Sequence, residues 1–370
     1  MRTVRVRLGE RSYPVRIGAG LLDEAGRALR DAGLEGPVLL LSDARVDGLY
    51  GDRLRRSLRA ARLAPRTLLV RSGERSKTPR TASRIWGALA REEGNRSRTI
   101  VALGGGILID LAGFVAALWR RGIPWATIPT TLLAQADASV GGKTAVNLPE
   151  GKNLVGVFHQ PRAVLIDPDM LATLPARDFR AGFGEVIKTA VAADRGLFAI
   201  LERDAESLLG RDPEALARVL ERSVRRKAER VTADERDRTG VRAALNLGHT
   251  FAHALETGGG YRYRHGEAVA LGLVAATALS ARLGLLAEEE RRRVVLLIRR
   301  FGLPTGGVPL DPGILLPLTR RDKKRVGNRV GFVLTKSIGF ATFPQSVADS
   351  PVLRAFREIC SSPRVDESGN

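Results

Sequence analysis

The apolar run Val101–Trp119 constrains the fold of this chain more than any other segment. It invites a membrane assignment, yet Gly104, Gly105 and Gly106 interrupt it and Asp110 lies at its centre. A central Asp costs roughly 2.5–3.5 kcal/mol on insertion scales. The run therefore reads as a buried strand, a glycine turn and a helix. Such a turn lets a backbone approach a pyrophosphate, and the N-terminus of the following helix favours anions. The spacing is not the GxGxxG fingerprint, and a tight strand–helix connection uses the same residues.

The flanking segments fit that unit. Pro37–Leu41, Arg66–Val70, Thr99–Leu103 and Ala126–Pro129 read as strands. Helical periodicities lie between them, around Leu49–Arg62 and through Trp86 and Leu89. Strands alternating with helices imply crossover connections and a parallel sheet. From about Arg177 the strand signals fade, and helical periods cover Phe179–Ala192, Pro213–Val231, Leu245–Glu256, His265–Leu286 and Ala287–Phe301. Pro304, Pro309, Pro312 and Pro317 mark a loop-rich stretch, after which Gly331–Leu334 and Ile338–Phe343 pair as a small hairpin. The expectation is an α/β Rossmann-like domain over 1–176 and an all-helical, metal-binding one over 177–370.

Charge enters next. The 370 residues carry 60 Lys+Arg against 40 Asp+Glu, a net +20, which suggests a polyanionic partner. The cations are spread along the chain, aromatics are sparse, and no stacking aromatics interleave with them, which argues against nucleic acid. The single cysteine excludes an internal disulfide framework and points to a reducing, cytoplasmic setting. The N-terminal MRTVRVRLGERSYPVRIGAG holds no apolar signal core. Neither secretion nor a membrane span is expected.

Two constellations bear chemistry. Three of the four histidines, His249, His253 and His265, fall close together, and His249 and His253 share one helix face. Thr250 occupies the place of the glutamate in HExxH, so a carboxylate must come from elsewhere, and Glu185 sits in an otherwise apolar helical stretch. Two His and one carboxylate leave an open position, as catalytic zinc requires; isolated hydrogen-bonded histidines would give the same spacing. The second constellation is lysine: only eight of the 60 cations. A compact ammonium serves where a guanidinium fork does not fit, and Lys143 and Lys152 have glycine neighbours.

The segments GGGILIDLAGF, IPTTLLAQADASVGGKTAVN, GKNLVGVFHQP, TLPARDFRAGFGEVIK, LNLGHTFAHALE and HGEAVALG, in that order, resemble the 3-dehydroquinate synthases. The resemblance runs from about Arg11 to the DKK at Asp322–Lys324. It implies a two-domain homodimeric lyase of the shikimate pathway with its site in the cleft between the domains. The substrate would be a small anionic sugar-acid phosphate, 3-deoxy-D-arabino-heptulosonate 7-phosphate, and the cofactors NAD and Zn2+, with Co2+ an alternative. The family's NAD⁺ transiently oxidises a ring hydroxyl, phosphate is eliminated, the ketone is reduced back, and ring opening and an aldol closure give the carbocycle.

The resemblance also assigns roles. Glu185, His249 and His265 match the metal ligands and His253 the general base. Lys143, Asp137, Lys188 and Asp237 match catalytic positions, Asp237 standing where the family has Glu. Asn153, Lys227, Arg242, Asn246, Lys323 and Lys324 match substrate contacts, and Arg121 an arginine that reaches the partner subunit's site. Asp43, Glu74, Lys77, Gly105, Gly106, Asp110, Thr130, Thr131, Lys143, Lys152 and Thr173 match the NAD side. Ile109 replaces a usual Gly and sets a branched side chain near the cofactor's approach. Gly184 and Thr189 replace Ala and Tyr, Ala252 replaces Gly, and one residue is added before Arg242.

Related sugar-phosphate cyclases acting on sedoheptulose or glucose phosphates have no substrate carboxylate to bind, so Lys227, Arg242 and Asn246 together favour a carboxylated substrate. Three further alternatives follow from the same residues. An aminodehydroquinate synthase would use an aminated analogue of the substrate. A metal-dependent polyol dehydrogenase shares the glycine turn and helical metal site but lacks the GGKTAVN and GKN segments. A catalytically silent nucleic-acid binder would hold its partner salt-sensitively and keep no metal.

Overall fold

The computed structural model describes residues 1–91, 99–320, 325–326 and 329–361. They group into two compact units, Met1–Leu174 with Leu216–Arg236, and Pro175–Ala215 with Asp237–Asn370. The sequence reading, with one boundary at 176, does not anticipate that most of the Pro213–Ala233 helix groups with the first unit.

The first unit is built on a seven-stranded sheet. Its strands are β1 (Arg2–Val6), β2 (Tyr13–Ile17), β3 (Val38–Ser42), β4 (Pro65–Leu69), β5 (Thr99–Gly104), β6 (Trp125–Pro129) and β9 (Ala163–Ile166). The order is β1-β2-β9-β6-β5-β3-β4, parallel except for the β1–β2 pair. A parallel sheet covered on both faces needs strands that are apolar throughout, and β3, β5 and β6 are buried at every position.

Side-chain alternation along the strands divides that burial between two cores. Leu40, Val101, Leu103 and Ile128 pack with Leu29, Leu54 and Leu58 on one side of the sheet. Leu39, Leu41, Ile100 and Ala102 pack with Ile85, Leu111 and Val115 on the other. Consecutive residues therefore serve opposite faces, as the period of two demands.

All four expected strands are present, and three more complete the sheet. β1 and β2 form an antiparallel pair where the N-terminal charge–apolar alternation lies. The GGKTAVN and GKN segments fold as a separate hairpin, β7 (Lys143–Leu148) against β8 (Gly151–Phe158).

The second unit is mainly helical: Ala176–Ala193, Arg195–Arg203, His249–Gly258, His265–Arg282 and Glu288–Arg300. The period expected over Leu245–Glu256 is split. Val241–Asn246 is a 3-10 turn, and Gly248 at φ +78° starts the helix anew at His249. The late hairpin is shifted. β10 (Arg325–Val326) pairs with β11 (Arg329–Phe332), which also pairs with β14 (Gln345–Ser346), whereas β12 (Thr335–Ser337) pairs with β13 (Phe340–Ala341). Pro312–Thr319 is a helix, not loop, with Asp311 accepting from the Gly313 N–H at its start; proline is suited to a first turn. Among the described residues no helix is long and apolar enough to cross a membrane.

Candidate active site

In the second unit three helices deliver three donors to one point. Glu185 comes from Ala176–Ala193, His249 from the first residue of His249–Gly258, and His265 from the first residue of His265–Arg282. Their ligand atoms all lie within 4.8 Å of one another. Glycines make this approach possible. A Cβ on Gly184 would lie 2.2 Å from the Gly266 carbonyl oxygen, and one on Gly266 only 1.7 Å from that of Ala181. A Cβ on Gly272 would lie 2.2 Å from the Gly248 carbonyl oxygen. Each ligand thus adjoins a glycine at a main-chain contact between helices.

The donor set suits a divalent cation. Glu185 Oε1 is 3.0 Å from His265 Nε2 and 3.4 Å from His249 Nε2. A four-coordinate zinc with bonds of about 2.0–2.1 Å separates its ligands by roughly 3.3 Å. The His249 Nδ1–H is directed to the Leu247 carbonyl at 3.4 Å, and His265 Nδ1 to Glu256 Oε1 at 3.3 Å. Both imidazoles therefore turn Nε2 to the centre, the outer arrangement that orients metal-binding histidines. Glu185 Oε2 is buried without a hydrogen bond, although the Lys188 ammonium stands 2.7 Å away.

Electrostatics follow from this packing. Burial works against the Glu185 charge, but Lys188 and the two imidazoles hold its carboxyl well below the usual range. Burial pushes His249 down to about 4 despite Glu185. Burial also opposes charge on His265, yet hydrogen bonds to Glu185 and Glu256 push it up to about 10.

The His253 ring lies edge-on to His249 with centroids 5.6 Å apart, and the side chain is exposed one helical turn along. Arg242 is buried in the 3-10 turn, Asn246 ends that turn, and Asp237 sits at φ +53° before it. Thr189 donates its hydroxyl back to the Glu185 carbonyl at 2.9 Å.

The first unit carries the other residues that the resemblance singles out, some of them at its glycine turn. Gly105 caps the helix Gly106–Leu118. A Cβ on Gly105 would meet Thr131 at 3.2 Å, and one on Gly106 would meet Ala138 at 3.2 Å. Thr130 donates its N–H to the Gly104 carbonyl, and Thr131 Oγ1 accepts from the Ala134 N–H. Asp43 follows β3 and accepts from the Arg45 and Val46 N–H groups. The Thr173 hydroxyl is 2.6 Å from the Tyr50 hydroxyl.

Lys77, only 3 % exposed, donates to Asp110 Oδ2 and Asn153 Oδ1, each at 2.5 Å. Lys227 donates to the Asp137 carbonyl at 2.6 Å and lies 2.8 Å from Asp137 Oδ1. Lys143 is exposed at the start of β7, and Lys152 is half-buried on β8. Arg121 is exposed with φ +67°. Ile109 is buried in the core formed with Leu39, Leu41 and Leu111. Lys323 and Lys324 lie outside the described residues.

Sequence reasoning missed Glu256, a buried carboxylate on the His253 helix, and Asn147, whose amide binds Glu74 Oε1 at 2.6 Å. The only available signal for Glu256 was a charge among the apolar residues of that helix.

Comparison with known proteins gives this geometry a family. Profiles described as 3-dehydroquinate synthase N-terminal and C-terminal match residues 67–181 and 182–325. The 3-dehydroquinate synthase of Methylococcus capsulatus is 49% identical over 97% of this chain and 99% of its own length. That of Halorhodospira halophila is 46% identical over 95% and 99%. Among solved structures, the 2-epi-5-epi-valiolone synthase of Streptomyces hygroscopicus subsp. jinggangensis, with NAD+ and Zn2+ bound, is similar at TM-score 0.87. It is 32% identical, with 98% of this chain and 99% of that one covered. A probable glycerol dehydrogenase from Sinorhizobium meliloti, 19% identical at TM-score 0.68 over 94% and 96% of the chains, shares the fold. The chain is a member of the 3-dehydroquinate synthase family.

Proposed function

We propose that the chain is a 3-dehydroquinate synthase, converting 3-deoxy-D-arabino-heptulosonate 7-phosphate to 3-dehydroquinate and phosphate. The observation that carries this reading is the convergence of Glu185, His249 and His265. It occurs in a chain that matches 3-dehydroquinate synthases over nearly its whole length. When bound, NAD⁺ supplies a reversible hydride acceptor and zinc, or cobalt, supplies Lewis acidity.

In this reading Glu185, His249 and His265 hold the ion, and His253 takes and returns a proton at its imidazole. Lys143, Asn153, Lys188, Lys227, Arg242 and Asn246, with Lys323 or Lys324, bind the phosphate and carboxylate. Asp137 contacts a substrate hydroxyl, and Asp237 takes the place of the family's catalytic Glu. Asp43, Glu74, Lys77, Gly105, Gly106, Asp110, Thr130, Thr131, Lys143, Lys152 and Thr173 hold NAD⁺. Surplus positive charge speeds encounter with an anionic substrate.

A homodimer, with Arg121 of each chain reaching the other's site, is part of the proposal. Its support is β8, an eight-residue strand on which Leu154, Val155, Val157 and Phe158 are all exposed; a long apolar strand of this kind invites pairing. The lone cysteine supports a cytoplasmic setting.

Purified protein supplied with zinc, NAD⁺ and the seven-carbon acid phosphate should release inorganic phosphate without accumulating NADH. Reaction of sedoheptulose 7-phosphate in its place, or stoichiometric NADH from polyols, overturns the assignment.

A further inference from the structure

Asn147, near the end of β7, has no part in the roles above, yet it touches both sides of the first unit's polar set. Its Nδ2 donates to Glu74 Oε1 at 2.6 Å, while its Oδ1 accepts from the Asn153 N–H at 2.9 Å. Its own N–H donates to the Lys77 carbonyl at 2.8 Å. The Lys77 ammonium returns to Asn153 Oδ1 and continues to Asp110. Because the Lys77 N–H also donates to the Glu74 carbonyl at 3.1 Å, Glu74, Lys77, Asn147 and Asn153 close a ring of hydrogen bonds.

That ring joins two functions. Glu74, Lys77 and Asp110 stand on the NAD⁺ side, and Asn153 on the substrate side. Asn153 has φ +54°, a left-handed conformation that is uncommon for non-glycine residues but that Asn tolerates. Among short side chains only an amide both donates to a carboxylate and accepts from an N–H through separate atoms. Aspartate at 147 would set two carboxylates together, and alanine would remove both side-chain bonds.

Resting on the NAD⁺-dependent reading, we propose that Asn147 is a positioning residue that couples the NAD⁺ side of the first unit to its substrate side. Losing its amide loosens Glu74 and the turn at Asn153 together. Binding at either side then favours the other, a reciprocity that linkage requires.

The test uses full-length, metal-loaded N147A and N147D, with Glu74→Ala as a second background. N147A is expected to raise the NAD⁺ Kd about tenfold, the scale of a lost hydrogen bond to a charged group, and to raise the substrate KM more than it lowers kcat. N147D keeps the acceptor for Asn153 and should raise the NAD⁺ Kd with less effect on KM. In the Glu74→Ala background the N147A effect on NAD⁺ Kd should shrink to less than twofold. An unchanged NAD⁺ Kd in N147A, or an undiminished effect in that background, overturns the proposal. Wild-type protein that binds NAD⁺ but releases no phosphate sinks the functional reading alone, leaving the Kd comparison valid.

Discussion

Lys188 Nζ lies 2.7 Å from Glu185 Oε2, and both side chains are 2 % exposed. A buried charge that loses its partner costs about 3–5 kcal/mol. Lys188→Met should therefore destabilise metal-free protein, by less than that full amount because His265 still faces Glu185 at 3.0 Å. A divalent ion on Glu185 offsets much of the loss. Thermal unfolding with and without chelator checks this: equal Tm deficits in both conditions would contradict it.

The two histidines proposed as metal ligands are shifted in opposite directions. His265, raised to about 10, is protonated at neutral pH, whereas His249, lowered to about 4, is neutral. Metal ligation needs both imidazoles neutral, so metal uptake near neutral pH should release about one proton. Apparent affinity should climb about tenfold per pH unit, levelling near the His265 value of about 10. The sign for folding is the reverse. Because the folded pKa is raised from 6.5, the charged His265 stabilises metal-free protein fully below 6.5, and that contribution is lost as pH rises through about 10. Calorimetry in buffers of differing ionisation enthalpy counts the proton, and a count of zero refutes the protonated His265.

Gly266 and Ala181 meet through their main chains, and a Cβ at 266 would stand 1.7 Å from the Ala181 oxygen. Gly266→Ala must push two ligand-bearing helices apart, at a cost of about 1–3 kcal/mol or more. Zinc retained after dialysis should fall well below one equivalent. Full zinc occupancy with wild-type Tm would show that the helices separate freely without disturbing the ligands.

Ile109 packs into the sheet core. Ile109→Ala should lower stability by about 2–5 kcal/mol through the cavity it leaves, and leave the NAD⁺ Kd within twofold. A large change in Kd at unchanged stability would return this residue to the cofactor's approach.

Val157 lies exposed in the apolar stretch of β8. Val157→Asp should shift the proposed dimer to monomer in sedimentation velocity. Monomer in both proteins argues against the dimer itself.

Much of this was legible because it is local. The glycine turn, the apolar central strands and the HxxxH spacing are each written within a few residues. What escaped depends on partners far along the chain. Asn147 matters through Glu74, 73 residues earlier, and Glu256 through His265, on the next helix. The β1 strand, RTVRV, has only two apolar residues and no apolar run of the kind that marks the central strands. Pro317 obscured the Pro312–Thr319 helix, because an internal proline ordinarily breaks one.

The lysine distribution makes the protein unusually simple to treat with amine-selective reagents. Lys77, Lys188 and Lys227 are buried, and the 52 arginines do not acylate under such conditions. Among the described residues, Lys143 and Lys336 are exposed and Lys152 is half-buried. Two of those three belong to the β7–β8 hairpin, so among the described lysines a general acylating agent would act mainly on that hairpin and on Lys336.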